Sequence, residues 1–192
     1  MAITTRLTAA LKIKHPIICA PMAFAAGGKL AAAVSAAGGL GLIGGGYGDA
    51  TWIEAELKAA GREQVGCGFI TWSLAKQPQL LETVLWHRPR AIFLSFGNPA
   101  PFIPKIKAAG ALAICQVQTR KDAQHAIESG ADLIVAQGTE AGGHGERRGG
   151  MTLVPEVADL IAKTRPETLL CAAGGAGDGR GLAAALMLGA DG

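Results

Sequence analysis

The sequence predicts an α/β fold in which parallel strands alternate with helices and curl into a barrel, and three observations carry that expectation. Seven short apolar runs of strand length alternate strictly with seven segments of helical spacing and content. The runs are apolar along their whole length, as strands of a parallel sheet covered by helices must be. Glycine and polar residues gather just after the runs, where a barrel carries its active-site loops, whereas the loops on the opposite face are short caps.

The first run, Pro16 to Met22, leads into the loop Ala20-Pro21-Met22-Ala23, and the segment Gly28 to Ala37 returns as a helix. Gly39 to Gly44 is the second strand, followed by the glycine-rich Gly44 to Gly48 and a helix over Ala50 to Ala60. Val65 to Ile70 and Ala91 to Phe96 are the third and fourth strands, with helices over Leu74 to Trp86 and Ala100 to Ala109. Leu112 to Val117 and Leu133 to Gln137 are the fifth and sixth, joined by a helix over Arg120 to Ser129. A long loop and a helix over Val154 to Lys163 precede the seventh strand, Leu169 to Ala173, and the last helix, Gly179 to Leu188. Gly38, Gly61, Gly110 and Gly130 end helices where glycine takes the left-handed cap conformation.

An open doubly wound sheet is the competing architecture, and Gly39, Gly41 and Gly44 fit its G-x-G-x-x-G fingerprint. In that motif the glycines follow a strand and open a helix. Here they follow a helix and run through the strand itself, so a helix cap plus a glycine-rich strand is the better account, and the barrel is preferred.

A length of 192 residues fits one domain by the prior of roughly 100 to 200 residues each. Glycine, at 28 residues, is about twice its average share of roughly 7%, which suits a fold of many tight turns. A formal charge of +3 spread along the chain makes no basic stripe, which argues against a nucleic-acid partner. Met1 to Leu11 lacks the continuous apolar core of a signal peptide, and the Ala-rich run Leu30 to Ala37 falls short of the roughly 20 apolar residues of a membrane span. Cys19, Cys67, Cys115 and Cys171 lie far apart inside apolar runs and form no CxxC pair, so they read as buried thiols in a reducing compartment, the cytoplasm. No P-loop, HExxH, GxSxG or clustered carboxylate ligand set is present, and no metal is expected.

Two segments carry the chemistry. Gln137 to Gly150 ends a strand and spends many residues on glycine, charge and one histidine; ordering such a loop costs much conformational entropy, which function explains better than structure. Gly142 and Gly143 would let the backbone approach a flat ligand, and the imidazole of His144 would face it as a group able to exchange a proton near neutrality. The bland alternative is an exposed loop histidine. His15, His87 and His125 sit at a strand entrance or beside helices and read as surface or packing residues. The second segment, Ala173 to Gly181, runs from a strand end into a helix, where unpaired N–H groups and the positive helix end suit a phosphate. Asp178 also fits as a plain helix N-cap.

These residues resemble the nitronate monooxygenase family, formerly called 2-nitropropane dioxygenases. The resemblance rests on Pro16 to Met22, Ala36 to Gly41, Gln137 to His144 and Ala173 to Gly175 with Asp178 to Gly181, in order along essentially the whole chain, the Glu140-Ala141-Gly142-Gly143-His144 stretch being the most specific. The flavin-type enoyl-acyl carrier protein reductases share much of that stretch. The resemblance implies a (β/α)8 TIM barrel that binds flavin mononucleotide (FMN) in one domain over residues 1–192, truncated before the eighth strand. It implies that Ala20, Pro21 and Met22 line the isoalloxazine, that Gln116 and Gln137 hydrogen-bond the flavin, and that Gly142, Gly143, Gly174 and Gly175 approach the cofactor and its phosphate. His144 would be the catalytic base in oxidation of a nitronate or nitroalkane by oxygen, in a monomer or a homo-oligomer. Some family members carry Asn and Lys where Phe69 and Gln116 stand, which leaves substrate and subclass open. Seven strands cannot close a barrel, so unpaired edges are expected, and because the family's final strand, its helix and a further phosphate-binding loop have no counterpart in residues 1–192, the chain alone is expected to bind FMN weakly or not at all. An NAD(P)H-dependent flavin reductase is the alternative enzyme, and a non-catalytic barrel fragment is the alternative of another class.

Overall fold

The computed structural model describes residues 3–192. Six parallel strands lie in the order β1-β2-β3-β4-β5-β6: Leu42–Gly44, Gly66–Ile70, Ala91–Ser95, Leu112–Val117, Leu133–Gln137 and Leu169–Ala173. The helices are α1 (Arg6–Leu11), α2 (Gly28–Ala36), α3 (Ala50–Ala59), α4 (Thr71–Leu74), α5 (Gln79–Trp86), α6 (Ile103–Ala108), α7 (Arg120–Glu128), α8 (Gly150–Thr164) and α9 (Gly179–Met187). Strand order following chain order is the topology of a β/α barrel rather than of a doubly wound sheet, whose order reverses.

The strands are buried on both faces, which is why they read as continuous apolar runs. Side chains alternate: Ile43, Cys67, Ile92, Leu94, Cys115 and Ile134 pack outward against the helices, whereas Leu42, Phe93, Ile114, Leu133, Leu169 and Cys171 fill the interior. Register links the inner row across the sheet, Gly68 opposite Phe93, Phe93 opposite Ile114, Ile114 opposite Leu133 and Leu133 opposite Leu169. All four predicted cap glycines have positive φ: 102° at Gly38, 67° at Gly61, 78° at Gly110 and 93° at Gly130.

The expected first strand, Pro16 to Met22, is corrected to a single parallel bridge, Ile18 to Leu40. The Cys19 N–H donates to Leu40 O (2.9 Å) and the Leu40 N–H to Ile17 O (3.0 Å), but Pro16 and Pro21 have no N–H to extend the ladder. Cys19 is accordingly half-buried, not buried like the other three thiols. The expected helix Leu74 to Trp86 is broken before Pro78 into α4 and α5, and the helix expected from Val154 begins at Gly150, so the loop after β5 ends sooner than its composition suggested.

The sheet's two edges approach each other at the base. Asp191 N–H donates to Leu170 O (2.6 Å), Ala172 N–H donates to Gly192 O (3.0 Å), and a Cβ on Gly192 would lie 2.7 Å from Pro16 O. Residues 191–192 therefore sit between β6 and the Pro16 segment and partly cover the edges that a seven-stranded reading leaves bare. Helix α1, unforeseen in the sequence, plugs this end. Thr5 and Thr8 form its capping box, Leu7 and Leu11 enter the inner core, and Arg6 binds Asp191 in a salt bridge of 2.8 Å. Arg6 also donates to the carbonyls of Pro166 and Thr168, just before β6.

Candidate active site

The opposite end of the sheet, above the C-terminal ends of the strands, is hollow. A cavity of about 1060 Å³ opens there. Phe93, Val135 and Cys171, from the inner faces of β3, β5 and β6, make an apolar floor. Pro21 forms part of one wall because β2 carries Gly68 opposite it: a Cβ on Gly68 would lie 2.3 Å from the Pro21 ring. Burial pushes the Cys171 thiol up to about 12, with the Asp191 carboxylate adding to the shift, so the one cysteine in the floor is no nucleophile near neutrality.

Two strand ends place a pair of amides on the cavity wall. Gln116 of β4 donates through Nε2 to Oε1 of Gln137 on β5 (2.5 Å). Gln137 Nε2 in turn donates to the carbonyl of His144 (3.0 Å), as does Gln118 Nε2 (3.1 Å). The backbone of an exposed loop histidine is thus fixed by two side-chain amides, and its ring lies against Phe96, with centroids 5.4 Å apart and planes tilted by 57°.

The loop that carries His144 is closed at its root. Thr139 N–H donates to Arg148 O (2.8 Å), and the Glu140 carboxylate accepts the N–H of Gly150, the first residue of α8, at 3.1 and 3.0 Å. Its own backbone N–H and that of Gly150 hold the Glu140 carboxyl below the usual carboxylate range. Glu140 is therefore an anchor of the loop rather than a proton carrier.

The turn after β6 packs onto this loop. Gly174 has φ of 105°, and a Cβ there would come within 2.8 Å of Ala141 N, so a side chain is excluded on two counts. Among the described residues, the N–H groups of Gly174, Gly175, Ala176 and Gly177 donate to no protein group. Beyond them Asp178 caps α9, accepting from Arg180 N–H (2.8 Å), and its carboxyl is held below its usual range first by the Arg180 side chain and then by that N–H. The N-cap reading of Asp178 holds, and the N–H groups without a protein acceptor precede the cap.

All ten residues singled out in the sequence border this one cavity: Ala20, Pro21, Met22, Gln116, Gln137, Gly142, Gly143, His144, Gly174 and Gly175. Phe69, compared above with a family Asn, touches the cavity margin, but its ring packs in the outer core. Sequence reasoning passed over Tyr47, Ser95 and Phe96, which also border the cavity. Phe96 is a backbone outlier, with φ of 56° at the end of β3, a conformation that costs a bulky residue about 1–2 kcal/mol. His15, His87 and His125 lie away from the cavity, His125 bonded to Asn98 Oδ1 (2.8 Å). Among the described residues no group of three or more His, Cys, Asp or Glu could hold a metal ion, and no helix is long and apolar enough to cross a membrane.

Comparison with known proteins falls on the same fold. The family model described as nitronate monooxygenase matches residues 4–65 and 69–192. A nitronate monooxygenase of Neurospora crassa is 37% identical over 93% of this chain and 58% of its own length. The solved structure of FabK from Thermotoga maritima, in its M276A mutant form, matches with a TM-score of 0.89 and 33% identity, over 98% of this chain and 63% of that one. A nitroalkane oxidase from Streptomyces ansochromogenes matches with a TM-score of 0.83 and 27% identity, over 97% of this chain and 65% of that one. The chain thus spans less than two thirds of the length of each of these three proteins.

Proposed function

The chain belongs to the nitronate monooxygenase family, and from that premise we propose that it forms the FMN-binding barrel of an oxidoreductase that converts alkyl nitronates to carbonyl compounds and nitrite with molecular oxygen. The observation that carries the reading is convergence: the His144 loop, the Gln116–Gln137 pair and the turn Gly174 to Gly177, whose N–H groups donate to no protein group, border one cavity with an apolar floor.

These residues fit FMN. Free N–H donors just before a capped helix suit its phosphate, the amide pair suits the polar edge of its ring system, and Ala20, Pro21 and Met22 with the apolar floor suit the ring faces. When bound, FMN supplies the acceptor for electrons leaving the substrate and delivers them to oxygen. The protein binds, orients and moves protons. His144 removes the proton α to the nitro group of a nitroalkane, or orients the nitronate when that proton is already gone. Phe93, Val135 and Cys171 keep water from beneath the reacting centre, and the Gln137 and Gln118 amides fix the backbone from which the imidazole projects. Four free thiols, three of them buried, fit a cytoplasmic setting.

A second reading has its own support in the FabK likeness: an NAD(P)H-dependent flavin reductase acting on an enoyl thioester or a quinone. Anaerobic stopped-flow mixing separates them. Rapid bleaching of the flavin by a nitronate supports the first reading; rapid bleaching by NADH with none by nitronates replaces it with the second. A soluble preparation that takes up no FMN supports the third reading, a non-catalytic barrel.

A further inference from the structure

Phe96 is the residue this site explains least, because nothing in the proposed chemistry calls for a strained phenylalanine. Its φ of 56° is a conformation that a bulky side chain rarely adopts, and the surroundings over-determine it. Its carbonyl accepts the Trp72 N–H (3.2 Å). Gly97 follows at φ 151°, so close to α4 that a Cβ would meet Trp72 N at 2.9 Å. Two residues on, Asn98 Oδ1 accepts the Ala100 N–H (3.1 Å) and pairs with the His125 ring. The end of β3 is thereby held in a turn that lays the Phe96 ring against the imidazole of His144.

Phe96 and Gln116 border a second, smaller pocket of about 240 Å³ as well as the main cavity, and the polar margin of that pocket includes Gln118, Asp122, His125 and Glu146. We infer that Phe96 is a positioning residue for His144: the strained end of β3 holds the aromatic ring as a stop for the imidazole. The inference rests on the reading of His144 as the proton-handling group. Two amides fix the His144 carbonyl but leave its ring free to turn; the Phe96 ring supplies the missing restraint.

The test uses the FMN-loaded protein with Phe96→Leu and Phe96→Tyr, each alone and combined with His144→Ala. Phe96→Leu keeps apolar bulk but loses the flat surface, and is expected to lower kcat on a nitronate about tenfold with KM and bound flavin little changed, since misaligning a catalytic group costs rate rather than binding. Phe96→Tyr should stay within about twofold, and Phe96→Leu should cost nothing further once His144 is alanine. Independently of turnover, the ring signal of His144 in spectra of 15N-histidine-labelled protein should move and broaden in Phe96→Leu and stay in place in Phe96→Tyr. Equal losses with and without His144, an unmoved ring signal, or loss of activity in step with flavin would each overturn the inference. Full turnover in His144→Ala alone would instead sink the reading of the site, and the ring signal would then decide the Phe96 contact by itself.

Discussion

At the base of the barrel, α1 drives Leu7 and Leu11, 0% and 2% exposed, among the inner-facing side chains, and Arg6 ties the chain's last residues to the strand beside them. At the top, residues 139–147 and 174–180 are nearly all exposed, glycine-rich and held by scattered hydrogen bonds, with a cavity beneath them. Both ends close over the same inward-facing rows, yet one is filled by leucine and the other left hollow. A barrel draws stability from the end it can pack and keeps the other for ligands, because a loop that must admit a ligand cannot also be sealed by apolar side chains.

Substitutions at the two ends should therefore move different observables. His144→Ala is expected to lower turnover on a nitronate by about 10²–10⁴-fold, the usual worth of a general base, while the thermal midpoint holds and flavin remains bound. A large fall in melting temperature would break the contrast. Leu7→Ala should do the reverse, costing about 2–5 kcal/mol, read as a shifted urea midpoint with kcat per folded molecule unchanged. A loss of kcat without a loss of stability would mean that the base communicates with the chemistry.

Gly174→Ala probes the junction of the two loops at the top. A Cβ at φ 105° and 2.8 Å from Ala141 N should cost about 1–2 kcal/mol and weaken FMN in a fluorescence titration; unchanged affinity would detach this turn from the cofactor. The smallest effect concerns acid. The Glu140 carboxyl is lowered in the folded protein, first by its own N–H and then by that of Gly150, so the order it confers is present above the unfolded-state value and is lost as pH falls through the lowered one. Protection from hydrogen exchange across residues 138–150, taken relative to the intrinsic amide rate at each pH, should fall on acidification and lose that pH dependence in Glu140→Gln; an unaltered profile in the variant would assign the anchoring elsewhere.

Much of the architecture was legible because parallel strands buried on both faces leave runs such as Leu133–Gln137 that few other structures produce. Glycine caps at Gly38, Gly61, Gly110 and Gly130 marked helix ends correctly. The misreadings share a cause in the backbone: Pro16 and Pro21 leave an apolar run with too few donors for a strand, and Pro78 divides a segment of helical spacing. Helix α1 went unseen because six residues are too few to show a period, and it depends on its capping box and on the core it plugs.

The sequence by itself determined the alternation of strand and helix and the end of the sheet that carries the glycine-rich loops, since both rest on local composition and spacing, and its resemblance to a known family supplied the ten residues that border the cavity there. The tertiary structure alone decided that Gln116 and Gln137 bond each other and hold the His144 carbonyl, that Pro21 faces Gly68, and that Phe96 takes a strained conformation against the imidazole. Each is a contact between residues distant in the chain, set by strand register and closure of the sheet, and no local pattern carries register.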